Sequence, residues 1–285
     1  MDVDPLAESN PPRYAIESDE EDEYNPLQTS SSEALSPLEI KIAGDMPSNH
    51  PLILASGNSG KYWAKGCSLG KQTGAVYVDE IQVGLIFNPS WTKSTIIMSE
   101  TFARLPIAYM HSYVEKLIKE LKPLIIALLD TYPTPIYVSP QPIALQDAPI
   151  RYLCTHQVDP TIASSVERFA PPNFLHSTTS AALLSYVASS VSSSAFKTTL
   201  LLLPFPRIPA RAPKSLGRSD FSHLSEDEYQ WSGNMMNVVQ KLMFIAVGEK
   251  SDESAWHLPV NSNNIQSAVD VPARAKVPVD SGMYI

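Results

Sequence analysis

The sequence predicts an α/β protein: a single layered domain with a central sheet flanked by helices, a disordered acidic N-terminal segment before it and a flexible C-terminal tail after it. Three observations lead there. Residues 106–122 repeat apolar side chains at helical spacing between two short apolar runs, an order that belongs to layered α/β architecture. Leu124-Ile125-Ile126-Ala127-Leu128-Leu129 is apolar without alternation, as a strand covered on both faces must be. Before residue 47 and after residue 258 no apolar period survives, so the 285 residues divide into a leader (1–46), a body (47–258) and a tail (259–285).

Each element follows from local pattern. The leader crowds Glu17, Asp19, Glu20, Glu21, Asp22 and Glu23 together and adds the run Ser30-Ser31-Ser32, a composition that repels itself and stays solvated. The body opens with the apolar strand at 51–55, which ends in a tight loop at Ser56-Gly57-Asn58-Ser59-Gly60. Strands at 74–78 and 81–87 flank Asp79-Glu80 and form a hairpin, and 95–98 is a further strand. In the helix at 106–122, Ile107, Met110, Val114, Leu117, Ile118 and Leu121 make the apolar face, while Lys116, Lys119, Glu120 and Lys122 face water. Pro123 stops it, and the buried strand 124–129 follows. Beyond the proline-rich stretch 133–149 the pattern gives a strand at 152–155, a small-residue helix at 178–194 and a strand at 198–203 ended by Pro204. Ser225-Glu226-Asp227-Glu228 has the form of a capping box, so the last helix is expected to start there and carry Trp231, Met235, Val238, Val239, Leu242 and Met243 on one stripe.

Composition excludes several functions. A net charge of −9 with no basic stripe argues against nucleic acid, whose affinity comes from neutralised phosphates. No apolar run reaches membrane-spanning length, and the start has no basic-then-apolar secretory pattern, so a cytoplasmic and nuclear location is expected. Cys67 and Cys154 sit in no metal-ligand or redox spacing and read as reduced, buried thiols. Gly57-Asn58-Ser59-Gly60-Lys61 lacks the four-residue spacing and the Ser or Thr after lysine that a phosphate loop needs. The histidines never pair as HxxxH or HxH, so neither a metal nor another cofactor is expected. Asp130, at the carboxyl end of the buried strand, is where an enzyme would place a carboxylate, although a solvated strand-end aspartate is the commoner case.

The sequence ends Met283-Tyr284-Ile285, an apolar residue, a rigid amphipathic ring and a terminal carboxylate. Pockets that capture C-termini use such groups. The preceding tether, 259–282, would span about 25–30 Å as a flexible coil.

With that terminus, the acidic leader followed by Asn25-Pro26-Leu27, and one α/β body, the chain resembles the proteasome assembly chaperones, most nearly the fungal type of the first subunit of the α-ring chaperone heterodimer. The specific match covers the three terminal residues, which fit that family's hydrophobic-Tyr-any ending; the remainder is architecture. The resemblance implies a non-catalytic chaperone that pairs with a second chaperone subunit and docks on α subunits of the proteasome core particle. It further implies that Met283, Tyr284 and Ile285 enter a pocket between neighbouring α subunits, guide ring assembly and keep activators away. The competing expectation is a nucleoside hydrolase or small-molecule transferase in which His156 or His176 converges with Asp130. A third is an adaptor whose tail serves another receptor.

Overall fold

The computed structural model describes residues 38–175, 178–190, 196–218, 229–249 and 256–258. Contacts divide the chain into Met1–Leu38 and Glu39–Ile285, and the architecture below is that of the second unit.

Nine strands of the described residues form one sheet in the order β1-β3-β4-β5-β2-β6-β9-β7-β8. They are β1 (Ile40–Gly44), β2 (Leu52–Ser56), β3 (Gln72–Val78), β4 (Ile81–Phe87), β5 (Thr95–Ser99), β6 (Ile125–Pro133), β7 (Arg151–Cys154), β8 (Glu167–Arg168) and β9 (Lys197–Phe205). The centre, β5-β2-β6-β9, is parallel. Antiparallel pairs extend it on both sides. The helices are α1 (Gly57–Gly66), α2 (Ile107–Leu121), α3 (Pro160–Ser165), α4 (Thr179–Ser189) and α5 (Gly233–Ala246).

Alternation of side chains along the parallel strands builds two cores. Ile53, Ala55, Ala127, Leu129, Leu201 and Leu203 point into one cluster with Trp63 of α1, Ile162 of α3 and Met236, Val239 and Met243 of α5. The intervening residues Leu54, Ile97, Ile126, Leu128 and Leu200 are fully buried outside that cluster, on the face where α2 and α4 pack together. The result is the helix–sheet–helix sandwich that the pattern predicts.

The hairpin forms as expected, with Asp79 and Glu80 both at positive φ, the backbone that a two-residue turn of matching twist requires. Helix α2 runs from Ile107 to Leu121, ends in a left-handed Lys122 and carries Lys116–Glu120 and Lys119–Glu115 ion pairs on its wet face.

Several local expectations change. Ser56–Gly60 is no loop: Gly57 starts α1 directly, and the Ser59 hydroxyl donates back to the Ser56 carbonyl at 2.9 Å. Ile40–Gly44, inside the stretch read as leader, is an edge strand whose Ile40 and Ile42 are half-buried while Lys41 faces solvent. Strand β6 continues past Leu129 to Pro133, so Asp130 lies within the strand, paired with Leu202. Pro204 also stays in its strand: the β7 ladder on that side of β9 stops at Leu202, so the missing N–H breaks no bond there. The last helix begins at Gly233 with Ser232 as its cap, and Trp231 precedes it, donating its indole N–H to the Pro204 carbonyl at 2.8 Å. Helix α4 closes at Ser189 with Ser190 as its cap, short of the expected 194, and residues 191–194, like the capping box at 225–228, lie outside the described residues.

Candidate functional site

The carboxyl ends of the parallel strands hold a concentrated set of polar side chains. Ser56 ends β2, Ser99 ends β5, Glu100 follows it, and Asp130 lies on β6 one residue past the Ala55–Leu129 pair. All four are buried, as are Thr179 and Ser180 of α4. The amino end of α4 sits over them. Glu100 holds a left-handed φ of 53° and turns its carboxylate to that helix end: Oε2 accepts the Thr179 N–H at 3.2 Å and the Thr179 hydroxyl at 2.8 Å, while Oε1 accepts the Leu105 N–H at 3.0 Å. Negative charge is favoured there, because the first turn of a helix exposes unsatisfied N–H groups. Thr178 caps the same turn from its own side chain.

Asp130 accepts the Thr131 N–H at 2.8 Å and meets the hydroxyls of Thr178 and Ser180. It is 6% exposed. Burial pushes its carboxyl up to about 6, against the opposing pull of those hydrogen bonds. Ser56 and Ser180 share a hydrogen bond at 3.0 Å, and Ser99 donates to Tyr113 at 3.2 Å. A satisfied cluster of this kind fixes α4 on the sheet.

His156 does not join Asp130. It lines a cavity of about 230 Å³ with Ile125, Asp159 and Lys197 at the amino ends of β6 and β9. Asp130 stands five residues further along β6, so roughly 16 Å of strand separates the two levels. Burial, helped by the Lys197 charge, lowers the His156 imidazole below its usual range. Asp159 is the cap of α3, accepting the Thr161 N–H at 2.7 Å. His176 lies outside the described residues, and the described residues contain no group of three or more His, Cys, Asp or Glu able to hold a metal ion. Cys67 is buried, with its thiol pushed up to about 12 by desolvation, whereas Cys154 is only half-buried. No described helix is long and apolar enough to cross a membrane.

The proline-rich stretch proves more structured than its composition suggests. Residues 134–148 enclose a cleft of about 530 Å³ beside the carboxyl end of β6, with Tyr132 and Arg151 in its lining. Arg151 is 4% exposed. Its guanidinium lies 4.0 Å from the centre of the Tyr137 ring and 5.6 Å from that of Tyr132, and it pairs with Glu167 at 3.0 Å. Sequence reasoning passed over this residue, because a single arginine at the start of a short strand has no spacing to mark it.

Met283, Tyr284 and Ile285 lie outside the described residues. The chain before them is anchored at 256–258: Trp256 packs against Tyr62, its indole N–H donates to the Trp63 carbonyl at 2.8 Å, and the His257 N–H donates to Gly66.

No protein-family model and no curated protein sequence matches the chain. Among solved structures it is similar to Pyrococcus furiosus PbaA, an archaeal homolog of proteasome-assembly chaperone, at 12% identity over 59% of this chain and 76% of that one, with a TM-score of 0.40. It is similar to Pyrococcus furiosus PbaB, an archaeal proteasome activator, at 12% identity over 59% of this chain and 80% of that one, with a TM-score of 0.40. A protein of unknown function from Corynebacterium glutamicum ATCC 13032 overlaps at 10% identity over 58% of this chain and 69% of that one, with a TM-score of 0.37. Overlap of this depth decides nothing about chemistry or partners.

Proposed function

We infer that the chain is a non-catalytic proteasome assembly chaperone of the fungal first-subunit type, working in the cytoplasm and nucleus. It pairs with a second chaperone subunit, docks on core-particle α subunits and inserts Met283, Tyr284 and Ile285 into a pocket between two of them. The feature that carries this reading is the hydrophobic-Tyr-any sequence Met283-Tyr284-Ile285, which follows the anchored residues 256–258 in the chain. The ring of Tyr284 and parts of its neighbours would gain about 5–8 kcal/mol by burial. Ordering the tail and losing rigid-body freedom would cancel most of that. The tail therefore binds weakly alone, and contacts of the body raise its effective concentration.

The enzyme reading asked for a histidine converging with Asp130. His156 is at the other end of the strands, which removes one of its two candidates.

Deleting Met283 to Ile285 is expected to weaken capture of purified core-particle α subunits by about tenfold or more while leaving the melting curve unchanged. Equal capture by the shortened and complete chains would overturn the proposal.

A further inference from the structure

Charge is unevenly placed along the chain, and the net value of −9 conceals a basic stretch. From residue 168 to residue 219 there is no Asp or Glu, against six Lys or Arg. Four of the six, Arg207, Arg211, Lys214 and Arg218, fall on the loop that leaves the carboxyl end of β9. Arg104, just before α2, meets the same loop: its guanidinium donates to the Ala210 carbonyl at 2.7 Å and to the Arg211 carbonyl at 3.2 Å. Both acceptors are neutral, so its charge is not cancelled. Arg104, Arg211, Lys214 and Arg218 are all exposed, and none of them takes part in an ion pair among the described residues.

The loop presents these cations on a prepared backbone. Pro206, Pro209 and Pro213 fix φ at three of its positions, and residues 206–218 contain no helix or strand. Its start is tied down by Thr134, whose hydroxyl donates to the Phe205 carbonyl at 3.0 Å, and its middle by Arg104. Arg104 is in turn next to Leu105, whose N–H is held by Glu100 at 3.0 Å. A partner docking here would have little of the loop left to order.

The chemistry of the strip separates its possible occupants. A small anion needs a concave site that surrounds it, and none of the cavities described above is lined by these four cations. Single-stranded nucleic acid needs aromatic faces on which bases stack, and residues 206–218 have no aromatic side chain. The acidic balance of the chain also repels a polyphosphate. An acidic stretch of protein meets neither obstacle. Its carboxylates can be spaced to suit the cations, and the strip offers aliphatic contacts between them in Ile208, which is 57% exposed, and the half-buried Leu216.

We propose that the loop 206–218, braced by Arg104, docks an acidic extended segment of a partner protein, its carboxylates against Arg211, Lys214 and Arg218 and its aliphatic side chains against Ile208 and Leu216. Charge complementarity selects the occupant and speeds its arrival. Exposed pairs contribute little one at a time, so the affinity depends on several acting together and falls with salt. Docking at this strip requires nothing of Met283, Tyr284 and Ile285, and it holds whether or not they enter a proteasome pocket.

The test uses the complete chain and a fluorescein-labelled, end-blocked peptide, Asp-Glu-Leu-Asp-Glu-Leu-Asp-Glu, read by fluorescence anisotropy. Saturable binding is expected, weakening about tenfold or more between about 50 and about 300 mM sodium chloride. The twin peptide with Asn and Gln for the acids should bind about tenfold or more weakly. Combining Arg211→Glu, Lys214→Glu and Arg218→Glu, with the fold checked by circular dichroism, should weaken the acidic peptide by about tenfold or more. Combining Lys71→Glu, Lys93→Glu and Lys241→Glu changes net charge equally at exposed sites elsewhere and should leave affinity within about twofold. Equal losses in the two triple variants would reduce the effect to net charge and overturn the proposal. Equal affinity for the two peptides, no saturable binding, or tighter binding of a labelled oligothymidylate than of the acidic peptide would each overturn it too.

Discussion

Two buried carboxylates face the same helix end, and their surroundings give them different consequences. Glu100 spends both oxygens on N–H and hydroxyl donors of the α4 turn and the Leu105 backbone. Asp130 is desolvated more than it is compensated, so its carboxyl rises from 3.8 to about 6. The folded protein thus holds that proton more tightly than the unfolded chain does. Its stabilising effect is complete below pH 3.8, fades as pH rises through about 6 and is absent above that. Asp130→Asn keeps an acceptor for the Thr131 N–H and has no charge to desolvate. It should raise stability at neutral pH by up to about 3 kcal/mol and flatten the pH dependence between those values. Urea unfolding at pH 4.5 and 7.5 reads both effects; a neutral-pH loss would mean that the ionised form is the one the fold needs.

At the scale of elements, the junction of β2 and α1 is a close backbone approach that sequence reasoning misread. Gly60 packs so closely on the strand that a Cβ there would stand 2.8 Å from the carbonyl carbon and oxygen of Ala55, both backbone atoms. Alanine would gain about 1 kcal/mol of helix propensity, but the strand backbone cannot yield without moving buried neighbours, at about 1–3 kcal/mol or more. Gly60→Ala should therefore lower the melting temperature, and an unchanged or higher value in a thermal scan would show that α1 can slide. The last helix teaches a related point. Ser225 and Glu228 looked like the cap, yet Ser232 performs that role, accepting the Met235 N–H at 3.3 Å. Trp231 decided the boundary: it is buried among Tyr62, Phe205 and Tyr229 and bonded to Pro204, a placement set by the strand it meets rather than by its own helix.

For the molecule as a whole, strand order sets where stability is concentrated. β2, β6 and β9 lie between other strands with helices on both faces, whereas β1 and β8 each have one neighbour. Native-state hydrogen exchange should show amides of Leu54, Leu128 and Leu201 exchanging only with global unfolding and those of β1 and β8 exchanging first. Early exchange in β6 would mean that the sheet opens along its centre. The cleft formed by residues 134–148 lies beside the carboxyl end of this centre.

The sequence by itself determined the layered α/β class, the hairpin at Asp79-Glu80, α2 and the buried centre strand, because each is written in a local period or a turn that neighbouring residues suffice to specify. Tertiary structure alone decided that Glu100 and Asp130 meet the end of α4, that His156 stays away from them, and that Arg151 lies under Tyr137. Those outcomes depend on which strands become neighbours and at what register. The free energy that selects them comes from burial summed over contacts far apart in the chain, and no short window of sequence contains it.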